Sequence, residues 1–241
     1  MWKNPIKNEE KEEHKDQEAA NITEFGQLKI PEVKSDIHVI NIIGQIEGHI
    51  IMAPQNKTTR YEHVMPQLVA AEQSDDVKGI LFLLNTVGGD VEAGLAISEL
   101  ISTMSKPTVS LVLGGGHSIG VPIAVAAEYS FIAPTATMIL HPIRLTGLVI
   151  GVQQSFDYFQ KMQDRVINFI VANSNISEKD LRDFMMKTGE LAQDIGTISI
   201  GKDAVDCGLI DEVGGLGDSL KKLKELIKLK EEQDLLLKAV E

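Results

Sequence analysis

Cysteine is nearly absent from this chain. Cys207 stands alone in 241 residues, so an intrachain disulfide framework is excluded and the composition suits a reducing, cytoplasmic compartment. An apolar leader is lacking too: MWKNPIKNEEKEEHKDQE is charged throughout and carries no h-region, which is not the pattern of a secretory signal. Basic residues are scarce, 23 Lys and Arg against 35 Asp and Glu, and the formal net charge of −12 argues against a nucleic-acid partner. A clean membrane span is also missing. The uncharged run Pro107 to Ala127, PTVSLVLGGGHSIGVPIAVAA, is long enough, but consecutive Gly, two Pro and several hydroxyls break it. It reads as a buried strand, a Gly turn and a buried helix, so no integral membrane segment is expected. Neither a cofactor nor a metal is expected: TVGGD is no dinucleotide fingerprint, and GLIDEVGGLGDSL has glycines without a buried strand before them.

What remains is a pattern of α/β units. Residues 1–34 are charge-dense and read as a flexible arm. HVINIIG reads as a strand, APQNKTTRY as an insertion-like stretch, and residues 62–73 as a helix. GILFLLN, residues 79–85, is the continuous apolar run of a strand covered on both faces, and it ends in TVGGD. Helical spacing follows through Val91, Leu95, Ile97, Leu100 and Ile101. TVSLVL predicts the next buried strand, GGGHSIG its turn, and VPIAVAAE a small-residue helix with Pro122 tolerated in the first turn. The repeated order of strand, Gly-rich turn and helix implies a largely parallel sheet, whose carboxyl ends face the ligand crevice. YSFIA and ATMILH read as two more strands. Residues 152–173 form a long helix with a stripe through Val152, Phe156, Phe159, Met162, Val166, Phe169 and Ile170. Ser177 is the expected N-cap of the helix after it. DSLKKLKELIKLKEEQDLLLKAV is a charged amphipathic helix suited to packing or to an oligomer surface.

GHSIG fits the pattern of a nucleophile on a sharp strand-to-helix turn, with Ser118 at its centre. Helix N–H groups there, with the backbone of Gly88-Gly89 in the preceding turn, would supply oxyanion donors. The alternative role for these glycines is close helix–strand packing. Six histidines limit the choice of base. His14 is in the arm, His38, His49 and His63 precede the Gly-rich turns, and His117 points away from its neighbour Ser118. His141 ends an apolar strand at the rim where Ser118 belongs; its alternative is a satisfied strand-end histidine. No His follows residue 141, so the order Ser, acid, His of the α/β-hydrolases is excluded by counting. An acid, if one completes a triad, comes later in the chain.

GQIEGHI, LLNTVGGDVEAGLAI, GGGHSIG, MILHP and AVDCGLIDEV, in that order, resemble the signatures of the Clp protease proteolytic subunit family, from about residue 37 to 213. The resemblance implies an α/β fold of the ClpP/crotonase type, with stacked strand–strand–helix units and a protruding long handle helix at about 152–173. It divides the chain into the arm 1–34, a protease domain 35–215 and a C-terminal amphipathic helix 216–241. It implies Ser118 as nucleophile, His141 as general base, and the N–H groups of Gly89 and Ile119 as oxyanion donors. It further implies a homo-oligomeric ring or double ring around a chamber, a peptide or unfolded-protein substrate, and an unfoldase ATPase as a possible partner.

The departures are informative. HPIR replaces the family's usual His-Gln-Pro, small residues before the serine are missing, and there is an insertion after Ile51 and a longer acidic C-terminus. These look more like the ClpP-like group called translocation-enhancing proteins. Counting back from AVDCGLID puts Gly196 where the family has its Asp; Asp194, two residues earlier, is the nearest carboxylate and the expected orienting acid, its alternative being a solvated loop acid. Two other functions fit parts of the pattern: a crotonase-type acyl-CoA enzyme, which needs no Ser–His pair, and a ring-forming scaffold for preprotein handling with a weak site.

Overall fold

The structure is a computed structural model and describes residues 35–144, 151–189 and 195–238. Among these, a parallel sheet takes the strand order β2-β1-β3-β4-β5-β8. The strands are β1 (Ile37–Glu47), β2 (Thr58–Arg60), β3 (Gly79–Gly89), β4 (Thr108–Gly116), β5 (Tyr129–Ile132) and β8 (Glu212–Val213). A second, smaller layer is made by β6 (Thr137–Leu140) and β7 (Thr197–Ile200), which run antiparallel, with β6 also touching β4 at Gly115 and Thr137. Helices α1 (Tyr61–Gln73), α2 (Val91–Ser102) and α3 (Gly120–Val125) connect the strands, followed by α4 (Val152–Ala172), α5 (Glu178–Met186), α6 (Lys202–Asp206) and α7 (Leu216–Lys238).

The apolar runs form strands buried on both faces because alternate side chains enter two separate cores. Ile40, Ile42, Ile80, Phe82, Leu84 and Val112 join the main core with α1–α5. Ile37, Leu81, Val109, Leu111 and Phe131 point the other way, against Leu223 and Ile227 of α7. The long C-terminal helix is thus seated on the sheet by those two residues, and Gly79 allows the approach: a Cβ there would meet Ile227 Cδ1 at 2.8 Å. Beyond the reach of α7, Val39, Ile43 and Leu113 on the same face are more than two-fifths exposed.

Helix starts follow the capping chemistry. Asp90 accepts the Ala93 N–H at 2.8 Å to begin α2, and Ser177 accepts the Asp180 N–H at 3.0 Å to begin α5. The stripe on α4 is buried only in part. Met162, Val166, Ile167, Phe169 and Ile170 pack on the core, whereas Val152 and Phe156 are 80% and 64% exposed. The buried half is tied down by Arg165, which grips Glu92 of α2 through two bonds at 2.7 and 3.2 Å.

Three details differ from the reading of the sequence. The strand expected to stop at Asn85 continues to Gly89, so TVGGD is not a turn. The small-residue helix is shorter than VPIAVAAE, ending at Val125. The insertion-like stretch contributes β2, paired to β1 through Gln45 and Thr58, Ile46 and Thr59, and Glu47 and Arg60.

Candidate active site

Ser118 has φ +56, the one positive φ at a non-glycine position among the described residues. That left-handed conformation costs an L-residue roughly 1–2 kcal/mol, so it persists only where the surroundings impose it. Here they do. The Ser118 N–H donates to Ile139 O of β6 at 2.9 Å, the His117 N–H to Thr86 O of β3 at 3.1 Å, and the Gly120 N–H closes back on His117 O at 2.8 Å. Gly88 faces the turn so closely that a Cβ would lie 2.6 Å from Ser118 Cβ. The serine therefore sits on a strained turn between β4 and α3, clamped by β3 and β6.

His141 follows β6 directly, two residues past the Ile139 that holds Ser118. Its Nδ1 lies 2.7 Å from Pro142 O. A carbonyl only accepts, so this bond puts the proton on Nδ1 and the lone pair on Nε2, the tautomer of a general base. His117 turns elsewhere: its Nε2 is 2.8 Å from Thr137 Oγ1. Burial first, and repulsion from His141 second, push the His117 pKa below its ordinary value.

The sign of that shift sets a stability prediction. The unfolded chain takes up the His117 proton near pH 6.5, before the folded chain does, so folding stability falls as pH drops below that value. The wild type is expected to lose more stability than His117→Gln between pH 7.5 and 5.5, read from urea midpoints. Glu92 and Asp164 act in a lower window. Hydrogen bonds from Arg165 and Arg182 hold them below the usual carboxylate range, and their contribution is lost progressively as pH falls from the ordinary carboxylate range through those depressed values.

Ser118, His141, Gly89 and Ile119 all line one cavity of about 240 Å³. Its walls are otherwise largely apolar, with Val87, Val121, Val166, Ile170 and Met185, and Arg144 stands among them. Gly89 must be glycine here: its φ is +154, and a Cβ would fall 2.1 Å from Ile46 O. The Gly88 N–H is already committed to Thr86 Oγ1 at 3.0 Å, which separates its role from that of Gly89. Ile119 is the N-cap residue of α3. Two larger concavities of about 610 Å³ lie elsewhere, and neither has a histidine among its described lining residues.

Asp194 lies outside the described residues. The antiparallel register of β6 and β7 ends at Leu140 and Thr197, and its continuation puts Gly196 across from His141. Gly196 has no carboxylate to offer, and its N–H donates to Lys187 O at 2.8 Å. None of the described residues lining the cavity is an Asp or Glu. The contributions of Pro142 O and Thr86 were not legible in the sequence, the first because it is backbone, the second because its bonds cross between strands. Among the described residues no group of three or more His, Cys, Asp or Glu is placed to hold a metal, and no helix is long and apolar enough to cross a membrane.

The profile of the Clp protease family matches residues 34–216. The chain is 64% identical over 207 residues to the translocation-enhancing protein TepA of Halalkalibacterium halodurans, covering 86% of this chain and 81% of that protein. It is 31% identical over 125 residues to the ATP-dependent Clp protease proteolytic subunit of Leuconostoc citreum, covering 49% and 60%. The corresponding subunit of Lactococcus lactis subsp. lactis is 28% identical over 163 residues, covering 62% and 74%.

Proposed function

The chain belongs to the Clp protease family, and from that footing we propose that it is a serine-type endopeptidase acting through Ser118 and His141. The observation that carries the proposal is the convergence of Ser118, His141, Gly89 and Ile119 on one cavity, with the serine on a strained turn. His141 Nε2 takes the Ser118 proton as Oγ attacks a peptide carbonyl, and the N–H groups of Gly89 and Ile119 receive the oxyanion. Collapse expels the amine with the proton from His141. Water then hydrolyses the acyl ester by the same route. Asp194 is the proposed orienting acid, and Pro142 O already holds the tautomer that an acid would enforce.

An adjoining apolar cleft of about 380 Å³ shares Pro142, Ile143 and Met185 with the site cavity and adds Phe156, Phe159 and Ile167. That continuity favours an extended peptide or unfolded segment with apolar side chains. The exposed Val39, Ile43 and Leu113 on the sheet, with Val152 on α4, suit burial between copies in a homo-oligomeric ring or double ring. In this reading residues 35–215 form the protease unit, 1–34 an arm and 216–241 a C-terminal helix, in a cytoplasmic protein to which an unfoldase ATPase would deliver substrate. A second reading has a specific observation behind it. The described cavity lining lacks a carboxylate, and the relative with 64% identity is named for enhancing translocation; a preprotein-handling ring with a weak site would fit both.

Hydrolysis of a fluorogenic peptide with an apolar residue at the scissile bond separates the two. Turnover is expected, with His141→Gln lower by about 10³-fold or more. Asp194→Asn should lose less than the roughly 10⁴-fold typical of a triad acid. A folded, assembled wild type without turnover would favour the handling ring.

A further inference from the structure

We infer, on the peptidase reading above, that Thr86 is a positioning residue that locks the oxyanion strand to the nucleophile turn. Thr86 sits where both neighbouring ladders slip. Against β1, Gly44 pairs with Thr86 and Gln45 with Gly88, so Val87 is an extra residue and bulges out to 64% exposure beside the site cavity. Against β4, Leu84 pairs with Val112 but Thr86 with Gly116, so β4 carries extra residues through its glycine run. A bulge removes ladder hydrogen bonds locally. The Thr86 side chain replaces them.

Its Oγ1 donates to Gly44 O at 2.6 Å and accepts the Gly88 N–H at 3.0 Å. Its carbonyl accepts the His117 N–H at 3.1 Å, one residue before Ser118. Its Cγ2 occupies the space at Gly120, where an added Cβ would stand 2.6 Å away. Thr86 is 1% exposed, so no water can take over these bonds. One buried side chain thereby fixes the peptide before Gly88, whose neighbour carries the Gly89 N–H, while its backbone holds the turn that carries Ser118. Without the hydroxyl, the Gly88 N–H and the Gly44 carbonyl lose their partner together, and the Gly89 N–H loses its aim. Asn85, beside it, makes the matching bond on the other side, accepting the Gly115 N–H at 3.0 Å.

The test compares Thr86→Val, which keeps the shape without the hydroxyl, with Thr86→Ser, which keeps the hydroxyl without the methyl. In Thr86→Val the kcat for peptide hydrolysis is expected to fall about 30–100-fold with KM within about threefold. The ceiling is the 10²–10³-fold loss of a whole oxyanion donor. Thr86→Ser should stay within about threefold in kcat even where its Tm falls. A second readout does not depend on turnover: hydrogen–deuterium exchange over residues 84–95 and 114–121 should quicken in Thr86→Val and not in Thr86→Ser. Unchanged exchange in a folded Thr86→Val overturns the positioning role, whether or not the chain is a peptidase. The exchange effect in a protein that never turns over peptide supports the positioning role and overturns the peptidase reading alone. Should Thr86→Val fail to fold, Thr86→Ser still decides, because a tenfold fall in its kcat alongside its Tm would mark a purely structural residue.

Discussion

Replacing Ser118 with Ala is expected to lower kcat/KM for peptide hydrolysis by roughly 10⁴–10⁶-fold, while the urea midpoint moves little. The loss is large because the proposed nucleophile cannot be replaced from nearby. His117 is turned onto Thr137, and Ser118 is the one serine among the described residues lining the cavity. Nucleophile deletions in Ser–His systems reach about 10⁶-fold, with residual rate supplied by the oxyanion donors and binding. The fold should be indifferent to the change. Both residues carry a Cβ and meet the same left-handed strain at φ +56, and the bonds that impose the turn come from backbone N–H groups at 117, 118 and 120. Steady-state assays and urea titration of the two proteins would show the separation between activity and stability.

Gly88→Ala is expected to damage the site severely while touching neither proposed catalytic side chain. Gly88 has φ +85, where a Cβ costs roughly 1–2 kcal/mol. The new Cβ would also lie 2.6 Å from Ser118 Cβ and 2.7 Å from His117 O. Neither neighbour can yield freely, because both belong to the clamped turn. Overpacking of a tight site adds about 1–3 kcal/mol, so a total destabilisation of about 2–5 kcal/mol is expected, together with at least a 10²-fold fall in kcat. Gly217→Ala is the contrast. Nothing lies within 4 Å of a Cβ at that position of α7, so the change should be neutral or stabilising by up to about 1 kcal/mol. Denaturation midpoints for the pair, measured beside peptide turnover, would test the close packing of β3 on the serine turn.

The two buried strands that carry the site were legible because long-range packing and local pattern agree there. GILFLLN and TVSLVL are apolar on both faces, and both faces are covered up to Leu113, which lies beyond the reach of α7. His141 was legible as a strand-end residue, since MILH reads as a strand with Pro142 behind it. The continuation of β3 to Gly89 was not. Gly-Gly reads as a turn in isolation, and the bridge from Thr86 to Gly44, with the pairing of Gly88 and Gly89 to Gln45 and Ile46, keeps the strand running along β1. The short β7, α6 and β8 escaped the sequence for a related reason: they are two to five residues long and are defined by partners far away in the chain. The stripe on α4 was read as one face, yet its first half has no cover among the described residues, because periodicity reports what a helix can bury and not what lies opposite. Asp194 was chosen by counting and lies outside the described residues, while the register beside His141 points to Gly196, which has no side chain.

The most direct test of the central claim is covalent labelling with a fluorophosphonate, read by intact mass and peptide mapping. One adduct per chain is expected on the peptide containing Ser118, with none on Ser118→Ala and strongly slowed labelling of His141→Ala. An assembled, folded wild type that stays unlabelled, or an adduct on a different serine, would contradict the assignment of Ser118 and His141 as a reactive pair.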